Sequence, residues 1–211
     1  MPVAALYVAT GGVYFGLDDV DPWDEARDAR LYDGPWPVVA HPPCARWSRL
    51  AGFTEARFGY KRGDDGGCFA AAVAAVRRYG GVLEHPAYSA AWDAFGLPEP
   101  TWRYGWTGGL CGGFACYVEQ GRYGLPVKKA TWLYAFGVEL PEFRWGYTRD
   151  TDGDPANQNA FGGMDGWRDR FKGRTEQWAN STHRGGHHGL TSVTPPSFRD
   201  ALLSIARSPQ R

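Results

Sequence analysis

Short apolar runs separated by glycine and proline alternate along the first half of the chain with one amphipathic segment. Residues 4–17 (AALYVATGGVYFGL) open as a strand and then turn at a glycine pair. Val38–Ala40 predicts a further strand, and Val82-Leu83 predicts another, ending in Glu-His-Pro. Between them, residues 68–79 predict a helix, with these apolar residues on one face: Phe69, Ala72, Val73 and Val76. The pattern is typical of an α/β protein.

The strand–helix–strand spacing has a geometric consequence. Such a unit is right-handed and its strands are parallel, so Val38–Ala40 and Val82-Leu83 should be neighbours whose carboxyl ends share one edge of the sheet. Cys44 follows the first strand after Pro42 and Pro43, which fix the backbone, and Glu84 ends the second. We therefore expect Cys44 and Glu84 to meet at this edge. A structural cysteine after a proline turn is the alternative.

The remaining segments predict fewer regular elements. Residues 18–34 are acidic and then helix-permissive, with Pro22 suited to a first helical turn. Residues 117–137 predict strand, turn and strand. A closing helix follows Pro195-Pro196 and carries one apolar stripe of Phe198, Leu202 and Ile205.

We expect three parts along the chain. Residues 1–140 form an α/β domain, residues 141–190 a loop-rich lobe with scattered aromatic and basic residues, and residues 191–211 a helix that returns to the domain. A chain of 211 residues is long enough to bury a real core.

Charge and cysteine content narrow the function classes. The net charge is zero, so contact with DNA requires a local basic patch. Four cysteines do not make a disulfide framework. No apolar run reaches membrane-spanning length, and no basic segment precedes the first apolar residues, which predicts a cytoplasmic protein with no membrane partner.

Three segments, in order, resemble the DNA (cytosine-5)-methyltransferase family. HPPCARWS at 41–48 is similar to that family's Pro-Pro-Cys motif, VLEHP at 82–86 to its Glu-Asn-Val motif, and RYGLPVKKATWLYAFG at 122–137 to its Tyr-Gly-Val-Pro-Gln-x-Arg-x-Arg segment. More weakly, ATGGVYFGL at 9–17 resembles the cofactor loop. The chain looks like a short, divergent member, of a kind that suits a phage genome.

The resemblance implies a Rossmann-like, S-adenosylmethionine-dependent methyltransferase fold and a role for each matching residue. Cys44 would add to carbon-6 of cytosine, Glu84 would engage ring N3 and the exocyclic amine, and Lys129 would face the ring's O2. The residues implied for S-adenosyl-L-methionine are Gly11, Gly12, Asp21, Asp28 and Pro42. DNA, or a pyrimidine nucleotide, would contact the residues Arg46, Ser48, Arg49, Arg122, Arg168 and Arg170.

The chain departs from the family in two respects. His85 stands in place of an Asn, Val127 of the Gln and Thr131 of the second Arg. Only about thirty residues separate Gly12 from Cys44, which shortens the cofactor half of the fold. The cofactor is therefore less well supported than the thiol chemistry.

Three alternatives stay open. The same Cys and Glu pocket could use another electrophile on a pyrimidine, or the protein could bind DNA or a modified base without catalysis. A zinc site made from Cys111, Cys116, His183 and His187 is the third alternative.

Overall fold

A computed structural model describes residues 1–47, 59, 61–110, 112–125, 128–148 and 193–210. Its centre is a seven-stranded mixed sheet. The strands are β1 (Val3–Leu6), β2 (Val20–Trp23), β3 (Val38–Ala40), β4 (Gly81–Pro86), β5 (Trp106–Gly108), β6 (Phe114–Glu119) and β7 (Ala130–Phe136). The predicted α/β class is confirmed.

The strand order is β2-β1-β3-β4-β7-β6-β5. The first four strands in this order are parallel, and β7 then runs antiparallel to both β4 and β6. The predicted parallel pairing of β3 with β4 is confirmed. Since β6 runs in the same direction as β4, the carboxyl ends of β1, β3, β4 and β6 lie at one edge, together with the start of β7.

Helices cover both faces of the sheet. Helix α1 (Cys68–Tyr79) and the short α2 (Ala90–Ala94) pack on one face, where Phe69, Val76 and Trp92 are buried. Helix α3 (Pro196–Ala206) packs on the other face through Phe198 and Leu202. The described residues also form three 3₁₀ turns: η1 (Glu25–Arg27), η2 (Ala29–Leu31) and η3 (Gln120–Tyr123).

Successive side chains of a strand face opposite sides of the sheet, and β1 and β3 are buried throughout because both sides are covered. In β3, Val38 and Ala40 face the α1 side, and Val39 faces the α3 side. In β4, Val82 faces α3 and Leu83 faces α1. By the same alternation Glu84 belongs to the α3 face and His85 to the α1 face.

The helix predicted to begin at Pro22 is wrong. Pro22 lies in β2, paired with Ala5, and only the 3₁₀ turns η1 and η2 follow. Strand β2 is the edge strand, and an edge strand tolerates a residue that lacks a backbone N–H. Pairing with the apolar β1 therefore overrides the local helical signal.

Gly81 sets the start of β4. Its φ is +130°, and a Cβ at this position would overlap the backbone of Val38. A residue without a side chain is needed because β3 and β4 approach closely there. The resulting register pairs Val38 with Gly81 and Ala40 with Leu83.

Among the described residues, no helix is long and apolar enough to cross a membrane. Most of the predicted lobe, residues 149–190, lies outside the described residues.

Candidate active site

Polar side chains form a continuous hydrogen-bonded series at the edge where the parallel strands end. We call Tyr14, His41, Glu84, Gln120 and Thr131 the polar row. Tyr14 comes from the β1–β2 connection, and the other four follow or belong to β3, β4, β6 and β7. Four neighbouring strands thus each contribute one member.

Glu84 is at the centre of the polar row. His41 Nδ1 lies 2.9 Å from Glu84 Oε2, and Gln120 Nε2 donates to Glu84 Oε1 at 3.0 Å. Gln120 Nε2 also lies 3.0 Å from Thr131 Oγ1, and the Tyr14 hydroxyl lies 2.8 Å from His41 Nε2. The row therefore holds the carboxylate from both sides.

Burial opposes ionisation of Glu84, yet its pKa is lowered to about 2. The positive charge of Lys129 and the interactions with His41 and His85 outweigh the burial penalty. The carboxyl group is thus ionised at neutral pH. Each oxygen already accepts one hydrogen bond and keeps a lone pair for a ligand.

Cys44 lies on the exposed loop after β3, within electrostatic range of Glu84 and Lys129. Nearby protein atoms and the Glu84 carboxylate raise the pKa of its thiol, and Lys129 acts in the opposite direction. The structure therefore brings the three predicted catalytic residues, Cys44, Glu84 and Lys129, to the same edge. The thiol is protonated at neutral pH and must lose its proton to react.

Lys129 precedes β7, and its ammonium group donates to the backbone oxygen of Val193 at 3.3 Å. This contact ties the cation to the segment just before α3. The positive charge of Lys129 lowers the pKa of Glu84 and opposes the rise in the pKa of Cys44.

His85 is buried with 1% exposure on the opposite face from Glu84, between Phe69 and Trp92. Neither ring nitrogen makes a hydrogen bond of ordinary geometry, although the Pro43 backbone lies close enough to favour the charged form. Burial lowers the pKa of His85 to about 4, so the ring is neutral near pH 7. The ring packs between Phe69 and Trp92.

The predicted cofactor loop lies at the carboxyl end of β1. Gly11 has a positive φ of +66°, and an added Cβ there would meet nothing within 4 Å. The amide of Gly12 donates to the Ala9 carbonyl, and Pro42 is buried beside this edge. Thr10 donates to Asp24 at 2.7 Å, which joins this loop to the end of β2.

The two acids proposed from the resemblance are engaged by neighbouring cations. Asp21 accepts hydrogen bonds from Arg27 and Trp23, and Asp28 accepts from Arg30. These contacts lower the pKa of both groups against the effect of burial. Asp24 is the residue at the carboxyl end of β2, and the sequence reasoning missed it. Asp24 directly follows β2, and Thr10 follows β1 at the same edge of the sheet. This position after a strand is the signal that could have identified Asp24.

The residues expected to contact DNA fall into two groups. Arg122, in η3, donates to the Tyr147 carbonyl at 2.9 Å and accepts on its own carbonyl from Arg144. Arg46 lies in the turn after Cys44, where its carbonyl accepts from Gly63. The others lie outside the described residues: Ser48, Arg49, Arg168 and Arg170.

The zinc alternative finds no support in the part of the chain that is described. No group of three or more potential ligands occurs among those residues, and Cys116 is buried inside β6. Its other proposed ligands lie outside them: Cys111, His183 and His187.

Tyr14, His41 and Gln120 are site residues that the sequence reasoning did not identify. His41 could have been found, because it begins the HPPC segment and directly follows the strand that leads to Cys44. Tyr14 and Gln120 are brought in by the sheet topology, and no local pattern marks them.

No family model matches this chain, and neither a curated protein nor a solved structure is similar enough to be matched. The site is therefore interpreted from its own geometry.

Proposed function

We propose that this protein modifies carbon-5 of cytosine in DNA by transferring a methyl group from S-adenosyl-L-methionine, with Cys44 forming a transient bond to carbon-6. The observation that carries the proposal is the convergence of Cys44, Glu84 and Lys129 at the carboxyl edge of the sheet. Open α/β sheets bind their ligands at this edge. The ordered resemblance to the cytosine-5 methyltransferase segments agrees with it.

The chemistry explains the pairing of a thiol with a carboxyl group. Carbon-5 of cytosine is a weak nucleophile until a group adds to carbon-6, and a thiolate is well suited to that addition. Electron density then moves toward N3, where a proton and a hydrogen-bonding partner stabilise it. Glu84 would bind N3 and the exocyclic amine, and Lys129 would neutralise charge at O2.

A base stacked within a duplex cannot reach a site of this kind. The base must leave the stack, and cationic and aromatic side chains near the edge could hold the opened strand. Arg103 lies 4.1 Å from the ring of Tyr147 and 5.3 Å from that of Tyr117, beside the end of β6. This cluster supports a nucleic-acid partner over a small free substrate.

The residues after β1 and β2 fit a cationic nucleoside better than a phosphate-bearing one. No helix follows β1 in residues 7–19, so the usual helix N-terminus for a phosphate is missing. The loop is open at Gly11, and the Asp24 carboxylate accepts a hydrogen bond from Thr10 of this loop. When bound, S-adenosylmethionine supplies an electrophilic methyl group. Gly11, Gly12 and Pro42 would line its position, and Asp24 would bind the ribose.

A second function keeps the same pocket and uses a different electrophile. The short connection between β1 and β3 favours it, because a nucleotide-binding half of classic order has a third strand beyond β2, whereas β2 is the edge here. The same Cys44 addition would occur with either donor.

The test is intact-mass analysis after incubation with oligonucleotides that contain 5-fluorocytosine. Fluorine blocks the final proton loss, so a methyltransferase is trapped as a protein–DNA adduct that carries the methyl group. We expect this adduct only with the wild-type protein and S-adenosylmethionine, and none with Cys44→Ser. Retained DNA binding without any adduct would contradict the enzymatic proposal and favour a binding protein.

A further inference from the structure

The reaction proposed above needs a proton at N3 of cytosine, and Glu84 does not hold one in the free protein. Its carboxyl group is ionised and accepts hydrogen bonds on both oxygens, from His41 and from Gln120. Another group must therefore supply the proton to Glu84.

His41 is in a position to supply this proton. Its ring lies between the Glu84 carboxylate, 2.9 Å from Nδ1, and the Tyr14 hydroxyl, 2.8 Å from Nε2. The His41 and Glu84 side chains are 12% and 8% exposed, so bulk water has little access to the contact. With Nδ1 protonated, His41 donates to Glu84, and Nε2 accepts from Tyr14 or, in the imidazolium form, donates to it.

We propose that His41 is a positioning residue that supplies, through Glu84, the proton taken up by N3 of cytosine when Cys44 adds to carbon-6. This inference rests on the proposed function and deepens it. The bond that forms is sulfur to carbon-6. The carbon-5–carbon-6 π pair moves to carbon-5–carbon-4, and the carbon-4–nitrogen-3 π pair takes the proton.

The protons balance in this step. The exposed Cys44 thiol releases one proton to solvent. N3 gains one, which passes from His41 Nδ1 to Glu84 Oε2 and on to the base. His41 regains a proton at Nε2 through the Tyr14 hydroxyl, which takes one from solvent. An imidazole is the side chain that most readily exchanges protons near neutral pH.

The charges around His41 come from several elements. Glu84 and His85 lie on β4, Lys129 precedes β7, and Cys44 follows β3. Arg199 and Asp200 of α3 act on Tyr14 from the other side. Arg199 also donates to the Val13 carbonyl at 2.8 Å, which holds the Tyr14 segment against α3. Of the two histidines here, His85 is neutral and hydrogen-bonds no member of the polar row.

The experiment follows exchange of the carbon-5 hydrogen with solvent, using an oligonucleotide deuterated at carbon-5 of cytosine and no methyl donor. Addition of Cys44 makes carbon-5 basic, so deuterium is lost without any cofactor. For the wild-type protein we expect the rate to fall at high pH, because the step consumes a proton that the relay must take up again. In His41→Asn, whose amide replaces Nδ1 as donor to Glu84, exchange at pH 7 should be about 100-fold slower, and the fall at high pH should disappear.

Two matched hydroxyl deletions separate a relay from simple packing. Tyr14→Phe removes the group bonded to His41 and should shift the pH at which the rate falls. Tyr32→Phe removes a hydroxyl bonded to the Trp36 backbone carbonyl, 2.6 Å away and outside the polar row, and should leave the profile unchanged.

The outcomes are distinguishable. If the wild-type protein exchanges deuterium and both His41→Asn and Tyr14→Phe keep its pH profile, the relay is wrong and the proposed function stands. If His41→Asn does not fold, Tyr14→Phe alone decides, since an unshifted profile overturns the relay. If the wild-type protein gives no more exchange than Cys44→Ser, the proposed function itself fails.

Discussion

Gln120 and Glu84 are joined across strand β7 by a hydrogen bond of 3.0 Å. Gln120 follows β6 and Glu84 lies in β4, so the bond connects two strands that are not adjacent. Thr131, in the intervening β7, accepts from the same amide nitrogen at 3.0 Å. The Glu84 carboxylate is therefore held in place before any ligand arrives.

Glu84 should make the protein sensitive to acid. Its pKa of about 2 in the folded protein lies below the ordinary value of 4.5. The unfolded chain therefore binds the proton first, and the stabilisation present above pH 4.5 is lost as the pH falls toward 2. We expect this loss to be about 3 kcal/mol in the free energy of unfolding.

Urea unfolding of Glu84→Gln against the wild-type protein at several pH values tests this prediction. The buried Glu119 contributes in the same range, so the difference between the two proteins isolates Glu84. Asp93→Asn, at an exposed carboxylate, is the control. Parallel pH curves for the wild-type protein and Glu84→Gln would show that Glu84 is not held as described.

His85 should change the stability of the folded protein in a higher pH range than Glu84. Its folded pKa of about 4 is below the ordinary 6.5, so the unfolded state gains a proton first as the pH falls below 6.5. Stability should decline from pH 6.5 to about 4, by up to about 3 kcal/mol, and then level off. His85→Leu removes the unsatisfied ring nitrogens and keeps an apolar contact with Phe69 and Trp92.

The measurement is again the free energy of unfolding, at pH 7 and pH 5. We expect the wild-type protein to lose stability between these values and His85→Leu to lose much less. An equal loss in both proteins would mean that His85 is protonated in the folded state.

Reactivity of Cys44 should change in opposite directions in two variants. Glu84 raises the pKa of the thiol and Lys129 lowers it. Glu84→Gln should therefore speed alkylation by iodoacetamide at neutral pH, and Lys129→Met should slow it, by about tenfold for each unit of pKa change. Mass analysis of the Cys44 peptide follows this site separately from the other cysteines.

Lys129→Arg is the matched control, because it keeps the charge. Its alkylation rate should stay close to that of the wild-type protein. Equal rates in Glu84→Gln and Lys129→Met would place both charges too far from the thiol to influence it.

Asp24 should matter more than Asp21 for a nucleoside ligand. Asp24 is hydrogen-bonded to the glycine loop through Thr10, whereas Asp21 is paired with Arg27 and Trp23. We expect Asp24→Asn to weaken binding of S-adenosylmethionine in calorimetry by about tenfold or more, since a hydrogen bond to a charged group contributes about 1.5–3 kcal/mol. Asp21→Asn is the comparison and should change the affinity little; the reverse order would support the original assignment.

Local patterns predicted the central part of this fold well. The period of apolar residues and the hand of a βαβ unit are enough to predict three elements. These are the strand at Val38–Ala40, the helix at 68–79 and the strand that contains Glu84. These elements lie close in sequence, so little depends on distant parts of the chain.

The sequence-based predictions are wrong or incomplete where contacts between distant parts of the chain determine the structure. Pro22 favours a helix start locally, yet pairing with β1 makes its segment an edge strand. Tyr14 and Gln120 join Glu84 only because β1 and β6 end at the same edge as β4. Lys129 was found because the resemblance supplied long-range information that its own neighbourhood does not contain.

The absence of a side chain at Gly81 lets β3 and β4 pair in the register that brings His41 to Glu84. Its register pairs Ala40 with Leu83, so the next residues along, His41 and Glu84, lie opposite each other on the α3 face. A slip of one residue would turn Glu84 to the other face and present His85 to His41. An alanine at position 81 would overlap the Val38 backbone, so the register that joins His41 to Glu84 depends on the absence of one methyl group.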